Sequence, residues 1–356
     1  MIILIRLVDS GSKGANRVKR PTIADVARRA GVTKAAVSFA LNNQPGVSAA
    51  TRERILAIAA EVGFQPSSAA RALSGGRAHA FGLVIDRPGR LLGVEPYFMQ
   101  LISGIQTELA GQHQTLLFTL AEDSDAEITL HRGWWAQRRV DGVFLVDLRV
   151  EDPRVPALEG LGMPAFAIGA PQAAGPLPAV SVNVQAAATI AVAHLAALGH
   201  RRIGRVAGLP HYWHTGHRAD TLAGVCAQAG IEVVTIDGDY TGESGARATR
   251  ELVHQPEPPT AILYDNDVMA VAGLGEAQRL GVQVPADLSI LAWDDSTLCE
   301  LVHPSITALR HDVTGVGAAA ARCLTQLAAG GPAEGFTEPP PTLMPRASTA
   351  PVRGSR

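Results

Sequence analysis

Residues 22–42 read TIADVARRAGVTKAAVSFALN, a stretch that predicts two short helices joined by a tight turn. Thr22 can cap the first helix, with Asp25 three residues later as a variant of the capping box. Gly31 suits the left-handed residue that ends a helix, and Thr33 can cap the second one. Apolar residues recur at helical spacing: Ile23, Val26, Ala27 and Ala30 in the first helix, and Val37, Ala40 and Leu41 in the second.

The second helix leaves small and polar side chains outside, namely Lys34, Ala35, Ser38 and Asn42. A third helix is predicted from Ser48 to Gly63, with the apolar stripe Ile55, Ile58, Ala59 and Val62. Two helices joined by a turn that contains glycine form a helix-turn-helix, whose second helix can enter the major groove of DNA. An ordinary three-helix bundle fits the same spacing.

Charge is distributed unevenly along the 356 residues, whose net charge is only −2. Between Lys13 and Arg77, 11 Lys and Arg stand against 3 Asp and Glu, a balance of +8 that leaves −10 for the remainder. A basic N-terminal piece indicates nucleic-acid binding, although a solvated helical face would give the same count.

Cysteine usage and hydropathy favour a cytoplasmic protein without membrane contact. Three scattered cysteines, Cys226, Cys299 and Cys323, predict neither a disulfide framework nor a zinc pattern. The apolar start is too short to span a bilayer, and no later stretch is long enough. We expect residues 1–19 to be a disordered extension.

A linker is predicted at residues 67–78. A short helical stretch can start at Pro66 and is closed by Gly75 and Gly76, but it has too few apolar residues to bury itself. Because an isolated helix this short is marginally stable in water, we expect it to order only against a partner.

From Ala80 the pattern changes to apolar strands that alternate with amphipathic helices. This alternation predicts parallel sheets covered on both faces, and about 250 residues of it can form two sheet lobes. Ligands in such folds bind beyond the carboxyl ends of the strands. Strands are predicted at 81–85, 115–120, 142–146, 165–168, 180–182, 203–207, 233–236, 261–264, 289–293 and 306–309, with helices such as 185–198 and 268–280 between them.

The motifs of the N-terminal piece resemble the DNA-binding headpiece of the lactose/galactose repressor family. They are TIADVA at 22–27, AGVT at 30–33, VSFALN at 37–42, GFQP at 63–66 and ARAL at 70–73. The resemblance continues in RVDGV at 139–143, HLAALGHRRI at 194–203, DNDVMA at 265–270, WDD at 293–295 and RAST at 346–349, and so covers nearly the whole chain from Arg20.

This resemblance implies an N-terminal all-α helix-turn-helix headpiece at 20–66 with a hinge helix at 67–78. An α/β two-lobed, periplasmic-binding-protein-like domain with parallel sheets follows at 79–350, with chain crossings near 180, 307 and 333. It further implies a repressor that binds a palindromic operator in double-stranded DNA as a homodimer or tetramer. A small-molecule effector, for which a sugar is the family's usual candidate, would control that binding.

The resemblance also assigns site residues one by one. At the position of Phe39, many members of the family have arginine. Two roles are open for the phenylalanine, namely contact with a thymine methyl group and packing within the headpiece. The DNA-binding positions are Thr33, Lys34, Ala35, Ser38, Phe39 and Asn42, with Arg71 and Leu73 in the hinge helix, where Leu73 would enter the minor groove. The effector-binding positions are Tyr97, Phe98, Thr221, Tyr240, Asn266 and Asp294.

Two departures weaken the expectation of a sugar. The family commonly has arginine at the position of Thr221 and aspartate at that of Gly169, and Arg218 is a candidate substitute for the arginine. Each effector position, taken singly, also has a structural alternative. Asn266 or Asp294, for example, could cap a helix or satisfy a loop.

Other motifs point to weaker alternatives. His211, His214 and His217 have the spacing of metal ligands on a helix, but the nearby Pro210 and Gly216 favour a loop. No metal is therefore predicted, and we expect these histidines at the rim of the effector pocket. The glycines of GLGEA at 273–277 imitate a dinucleotide loop but fall inside a predicted helix. A periplasmic-type solute-binding protein and a nicotinamide-dependent oxidoreductase are the alternatives to a regulator, which would be no enzyme and would need no cofactor.

Overall fold

The computed structural model describes residues 21–42, 44–64, 77–87 and 89–353. The chain divides into two compact units, Met1–Arg77 and Ala78–Arg356. The predicted extension at 1–19 lies outside the described residues, as do Arg71 and Leu73 of the predicted hinge helix.

The first unit contains three helices, α1 (Ile23–Ala30), α2 (Lys34–Leu41) and α3 (Ala49–Glu61). The predicted caps are confirmed. The carboxylate of Asp25 accepts the backbone N–H of Thr22 at 3.0 Å, and the Thr33 hydroxyl accepts the N–H of Ala36 at 3.1 Å. Gly31 ends α1 with φ +62°, a left-handed conformation that costs glycine little.

A small apolar core holds the three helices together. It contains the predicted stripes of all three helices, and Val26, Val37 and Ile55 are completely buried. These side chains come from one helix each, so the core fixes how α1, α2 and α3 pack within this unit. The buried members are Val26, Ala27, Ala30, Val37, Ala40, Ile55 and Ala59.

The second unit contains two six-stranded sheets, which confirms the predicted α/β class. Lobe 1 has the strand order β11-β5-β4-β3-β1-β2, and lobe 2 has the order β12-β10-β9-β8-β6-β7. The strands are β1 (Ala80–Asp86), β2 (Thr115–Ala121), β3 (Gly142–Leu145), β4 (Ala165–Ile168), β5 (Ala179–Ser181), β6 (Arg202–Ala207), β7 (Glu232–Asp237), β8 (Ala261–Tyr264), β9 (Ser289–Ala292), β10 (Thr307–Arg310), β11 (Phe336–Thr337) and β12 (Thr342–Met344).

Helices cover both faces of each sheet. None of the helices in the described ranges is long and apolar enough to cross a membrane. They are α4 (Gly89–Leu92), α5 (Pro96–Gly111), α6 (Ser124–Ala136), α7 (Arg154–Leu161), α8 (Val184–Ala197), α9 (Trp213–Gln228), α10 (Gly242–Val253), α11 (Asp267–Arg279), α12 (Thr297–Leu301) and α13 (Val313–Ala328).

The chain passes between the lobes three times. It leaves lobe 1 after β5, because α8 packs on the strands of lobe 2. It returns between β10 and α13, whose apolar face packs in the core of lobe 1, and passes again between β11 and β12. These passages follow residues 181, 310 and 337, a few residues beyond the predicted 180, 307 and 333.

Two short strands near the C-terminus were not predicted. The sequence favoured an extended and irregular tail, but β11 pairs with β5 in lobe 1 and β12 pairs antiparallel with β10 in lobe 2. Each strand has only two or three residues, and prolines separate them. Such short segments carry no periodicity, so their pairing depends on the sheet edges that the rest of the fold provides.

Two glycines let α5 and α13 approach closely in lobe 1. A Cβ atom on Gly104 would lie 2.0 Å from the carbonyl oxygen of Thr314, and one on Gly317 would lie 2.4 Å from that of Leu101. Both contacts are with backbone, which cannot rotate away. The Gly104→Ala variant should therefore lose about 2 kcal/mol of unfolding free energy through overpacking.

Urea unfolding of Gly104→Ala measures this loss, with Gly133→Ala as the matched control. Gly133 lies inside α6, and the nearest atom to its added Cβ is 4.0 Å away. Alanine there should be neutral or slightly stabilising because it is the better helix former. Equal stabilities of the two variants would contradict the close helix contact.

Candidate functional site

The exposed side of α2 carries the predicted DNA-reading residues. Lys34 and Ala35 lie in the first turn of the helix and are exposed to solvent. Ser38 and Asn42 are partly buried, and the Asn42 amide donates to the Ser38 carbonyl at 2.9 Å. The hydroxyl of Thr33 is used as the helix cap. The first turn of α2 is therefore the most accessible part of this surface.

Phe39 packs within the headpiece and is also partly exposed to solvent. Its side chain is 39% exposed, unusually high for a large apolar residue. The same ring lies against the backbone of Gly46, where an added Cβ would come within 3.3 Å of Phe39 Cδ2. The ring thus packs on the loop after α2 and still presents an apolar edge to solvent.

The second unit has a narrow cleft between its lobes, with a cavity volume of about 50 Å³. Its walls are built where parallel strands end: Arg87 follows β1, Asp147 follows β3 and Asp294 follows β9. This is where open α/β sheets bind their ligands. The lining residues are Arg87, Glu95, Tyr97, Val146, Asp147, Ile168, Gly169, Val182, Val184, His214, Arg218, Tyr240 and Asp294.

The wall from lobe 1 centres on Arg87, a buried arginine between two carboxylates. Its Nε donates to Asp147 at 2.9 Å and its Nη1 to Glu95 at 3.1 Å. Burial raises the pKa of Glu95 to about 7, although Arg87 opposes this shift. Burial also works against ionisation of Asp147, but the Arg87 guanidinium outweighs it and holds the pKa of Asp147 below its usual value. Of the two carboxylates, Asp147 is therefore the main counter-ion of Arg87.

The wall from lobe 2 rests on a buried ion pair. Arg205 on β6 binds Asp265 at the end of β8 through two contacts, of 2.9 and 2.6 Å. The backbone carbonyl of Asp265 accepts a hydrogen bond from Arg218 at 3.1 Å, and the Arg218 guanidinium lies 4.8 Å from the ring centre of Trp293. Arg218 Nε is buried and has no partner among the described residues.

Asp294 presents a carboxylate to the cleft. In the part of the chain that the structure describes, no group donates a hydrogen bond to this carboxylate. Burial raises its pKa, and the nearby charge of Arg218 partly opposes that shift. The cleft thus contains an acceptor in Asp294 and a donor in Arg218 that the described protein groups do not satisfy.

Tyr240 has a strained backbone and several contacts that hold it in place. Its φ is +67°, in the left-handed region that non-glycine residues rarely adopt. Asn266 donates to its carbonyl at 3.2 Å, and its hydroxyl contacts His214 at 2.8 Å and Thr215 at 3.1 Å. The ring covers Gly208, where a Cβ would lie 1.9 Å from it. Such over-determined strain is typical of functional sites.

The predicted effector residues have different places in this geometry. Tyr97, Tyr240 and Asp294 line the cleft. Phe98 is 1% exposed in the core of lobe 1, and Asn266 caps α11 while it also holds Tyr240. Thr221 does not line the cleft, although it belongs to α9, which also carries His214 and Arg218.

Several lining residues were not predicted as effector contacts. Arg218 was considered only as a substitute, and it lies in the cleft one turn nearer the start of α9 than Thr221. Arg87, Glu95 and Asp147 were missed, whereas His214, expected at the rim of the effector pocket, lines the cleft. A charged residue directly after an apolar strand, as at Arg87 and Asp147, was the available signal.

The prediction of a loop at His211, His214 and His217 is wrong for the last two of these histidines. Gly216 and Pro210 favoured a loop, but α9 starts at Trp213 and includes His214 and His217. Proline before a helix start does not disturb it, and one internal glycine is tolerated when the helix packs on a core. His214 bonds the Tyr240 hydroxyl, and burial lowers its pKa to about 4. The described residues include no group of three or more potential ligands that could hold a metal ion.

Two family descriptions match the sequence. Residues 22–67 match "Bacterial regulatory proteins, lacI family", and residues 192–349 match "Periplasmic binding protein-like domain". The first match contains α1 to α3, and the second covers most of lobe 2 and the segment that returns to lobe 1.

Individual proteins show the same similarity over most of the chain. The HTH-type transcriptional regulator CelR of Thermobifida fusca is 31% identical over 314 residues, 86% of this chain and 92% of that protein. A solved CelR–cellobiose complex has a TM-score of 0.70 at 27% identity and covers 92% of this chain and 100% of its own. The Lac repressor dimer bound to operator and the anti-inducer ONPF has a TM-score of 0.82 at 25% identity, with coverage of 93% and 100%.

Proposed function

The chain belongs to the lacI family of bacterial regulatory proteins, and from that premise we propose that it is a repressor whose operator affinity is set by a polyhydroxylated small molecule between the lobes. The observation that carries the ligand class is the mixture of unsatisfied groups in the cleft. Asp294 offers a free acceptor, and the Nη2 of Arg218, which donates to none of the described groups, offers a free donor. A hydroxyl group both donates and accepts, so a polyol can satisfy both.

The rest of the cleft supports the same ligand class. Tyr97 adds an aromatic ring, whose face suits the apolar face of a sugar ring. Acidic and basic groups occur together there, which favours a neutral ligand over a strongly charged one. Gly169 lines the cleft, and any side chain at this position would reduce the space for a ligand. A solved relative, CelR, is in complex with cellobiose.

On the DNA side, we propose that α2 enters the major groove of a palindromic operator and that the protein binds as a homodimer in the cytoplasm. One reading helix per chain covers only a half-site, so a palindrome needs two chains. The proposed contacts are Thr33, Lys34, Ala35, Ser38, Phe39 and Asn42, with Arg71 and Leu73 from the segment outside the described residues.

The Lys34→Ala variant should bind the operator more weakly. If Lys34 contacts a base, we expect a loss of about 1–3 kcal/mol and a relaxed preference at one base pair. A phosphate contact would instead weaken binding to all sequences and reduce the salt dependence. Fluorescence anisotropy with an operator obtained by selection from random DNA measures both quantities.

The matched control for Lys34 is Arg247→Ala. Arg247 is a half-exposed cation of lobe 2 that pairs with Glu251. Its replacement by alanine removes the same charge as Lys34→Ala, at a position far from α2 in the sequence. Its operator affinity should equal that of the wild type. Unchanged affinity and selectivity in Lys34→Ala would exclude Lys34 from the DNA contacts.

A thermal-shift panel tests the ligand class. It compares neutral mono- and disaccharides, including cellobiose, with amino acids and dicarboxylates as ligands of other charge. A ligand at 100 times its Kd should stabilise the folded protein by about 2.7 kcal/mol. Stabilisation by a charged amino acid or dicarboxylate, with none by any sugar, would overturn the polyol proposal.

A further inference from the structure

Arg87 is a lobe 1 residue whose guanidinium lies among aromatic rings from both lobes. It follows β1 directly, and its side chain is 4% exposed. The guanidinium carbon lies 5.2 Å from the ring centre of Phe98 in lobe 1, 5.3 Å from that of Tyr212 and 4.6 Å from that of Tyr240 in lobe 2. We call these three rings the aromatic cage of Arg87. Cation–π attraction is strongest when the cation is desolvated, as it is here.

Arg87 is anchored rigidly to lobe 1. Its partner Asp147 has φ +51°, a left-handed conformation that needs support. Arg154, itself 2% exposed, supplies that support because its Nη2 donates to the carbonyls of Val146 and Asp147 at 3.1 Å each. Glu95 binds the other side of the Arg87 guanidinium. Contacts within lobe 1 are therefore sufficient to hold the guanidinium in place.

The segment of lobe 2 that supplies Tyr212 also contacts lobe 1 through its backbone. The N–H of Trp213 donates to the carbonyl of Leu148 at 2.9 Å, and Tyr212 forms an isolated antiparallel bridge with Arg149. The Tyr212 hydroxyl donates to the carbonyl of Asp86 at 3.3 Å. These contacts between the lobes all involve Tyr212 or Trp213, and the Tyr212 ring also faces Arg87.

We propose that Arg87 is the positioning residue that holds the two lobes together at the cleft, through its contacts with Tyr212 and Tyr240. Arg87 also lines the cleft, and no described group accepts a hydrogen bond from its Nη2, which leaves this donor available to a ligand oxygen. One side chain thereby contacts both the ligand space and the opposite lobe. The link to effector response rests on the proposed function; the link to lobe separation does not.

A purely structural role for Arg87 makes a different prediction. If the arginine served only to neutralise Glu95 and Asp147, its loss would destabilise lobe 1 and leave the distance between the lobes unchanged. If it positions the lobes, removing the facing ring should have the same effect as removing the cation. Tyr240→Leu removes the ring, whereas Tyr240→Phe keeps the ring and removes only the hydroxyl.

The distance between the lobes can be measured by single-molecule energy transfer in the full-length protein without DNA or effector. Dyes are attached at cysteines introduced at Glu159 in lobe 1 and Ala229 in lobe 2, both exposed. Cys323 is changed to serine, and the buried Cys226 and Cys299 are retained.

We expect Arg87→Met and Tyr240→Leu to shift the transfer efficiency away from the wild-type value, with Arg87→Lys intermediate and Tyr240→Phe at the wild-type value. Wild-type efficiency in both Arg87→Met and Tyr240→Leu, with unchanged circular dichroism, would overturn the proposal. If Arg87→Met does not fold, the comparison of Tyr240→Leu with Tyr240→Phe decides. Because no ligand or DNA is present, the result does not depend on whether the proposed function holds.

Discussion

Replacing Asp294 with alanine should remove the response to the effector while operator affinity without effector stays at the wild-type value. The Asp294 carboxylate faces the cleft and accepts no hydrogen bond from the described residues, so a ligand hydroxyl is its natural partner. Removing a charged partner leaves polar groups of the ligand unpaired in the cleft. We expect ligand affinity to fall by about 3 kcal/mol, or roughly 150-fold.

Isothermal titration with the sugar identified in the thermal-shift panel measures this loss. Asp294→Asn is the matched control, because it keeps the shape and one acceptor oxygen but removes the charge. Its affinity should lie between those of the wild type and Asp294→Ala. Normal affinity and normal response in Asp294→Ala would show that this carboxylate has no part in ligand binding.

Replacing Arg205 with methionine should cause the largest loss of stability. Arg205 and Asp265 have side-chain exposures of 2% and 0%, and Asp265 depends on Arg205 for two hydrogen bonds. Burial opposes ionisation of Asp265, and the guanidinium of Arg205 is the main reason that its pKa nevertheless lies below the usual value. Removing only one partner leaves a buried, uncompensated charge, which costs about 3–5 kcal/mol.

Urea unfolding followed by tryptophan fluorescence tests this expectation. The control is Arg202→Met on the same strand, because Arg202 pairs with Glu232 at the surface and should change stability by less than about 1 kcal/mol. In the double variant Arg205→Met/Asp265→Asn, part of the loss should be recovered because the buried charge is gone. Equal losses in Arg205→Met and Arg202→Met would contradict a structural role for the buried pair.

The headpiece was predictable because its signals are local. Thr22 with Asp25, Gly31 and Thr33 are caps whose partners lie within a few residues, so the sequence alone determines where α1 and α2 begin and end. The same holds for the longer strands of the second unit, whose apolar runs are continuous. The strands β11 and β12 were missed because two or three residues carry no pattern, and their pairing is set by distant sheet edges.

The cleft was only partly predictable, because it depends on how two lobes face each other. Tyr97, Tyr240 and Asp294 were chosen by resemblance, and they line it. Arg87 was missed because two of its main partners are distant in sequence: Asp147 is 60 residues away, and Tyr240 belongs to the other lobe. Thr221 stays a prediction that the cleft geometry does not support, since Arg218 reaches the cleft instead.

One titration measures whether a ligand in the cleft controls DNA binding by the headpiece. Operator Kd is measured by fluorescence anisotropy for the full-length protein, with and without the sugar that stabilises it, and in parallel for Asp294→Ala. We expect the operator Kd to change at least about 5-fold in the wild type, the lower end of allosteric coupling, and not to change in the variant. A sugar that binds the wild-type protein and leaves its operator Kd unchanged would show that the cleft does not control the headpiece.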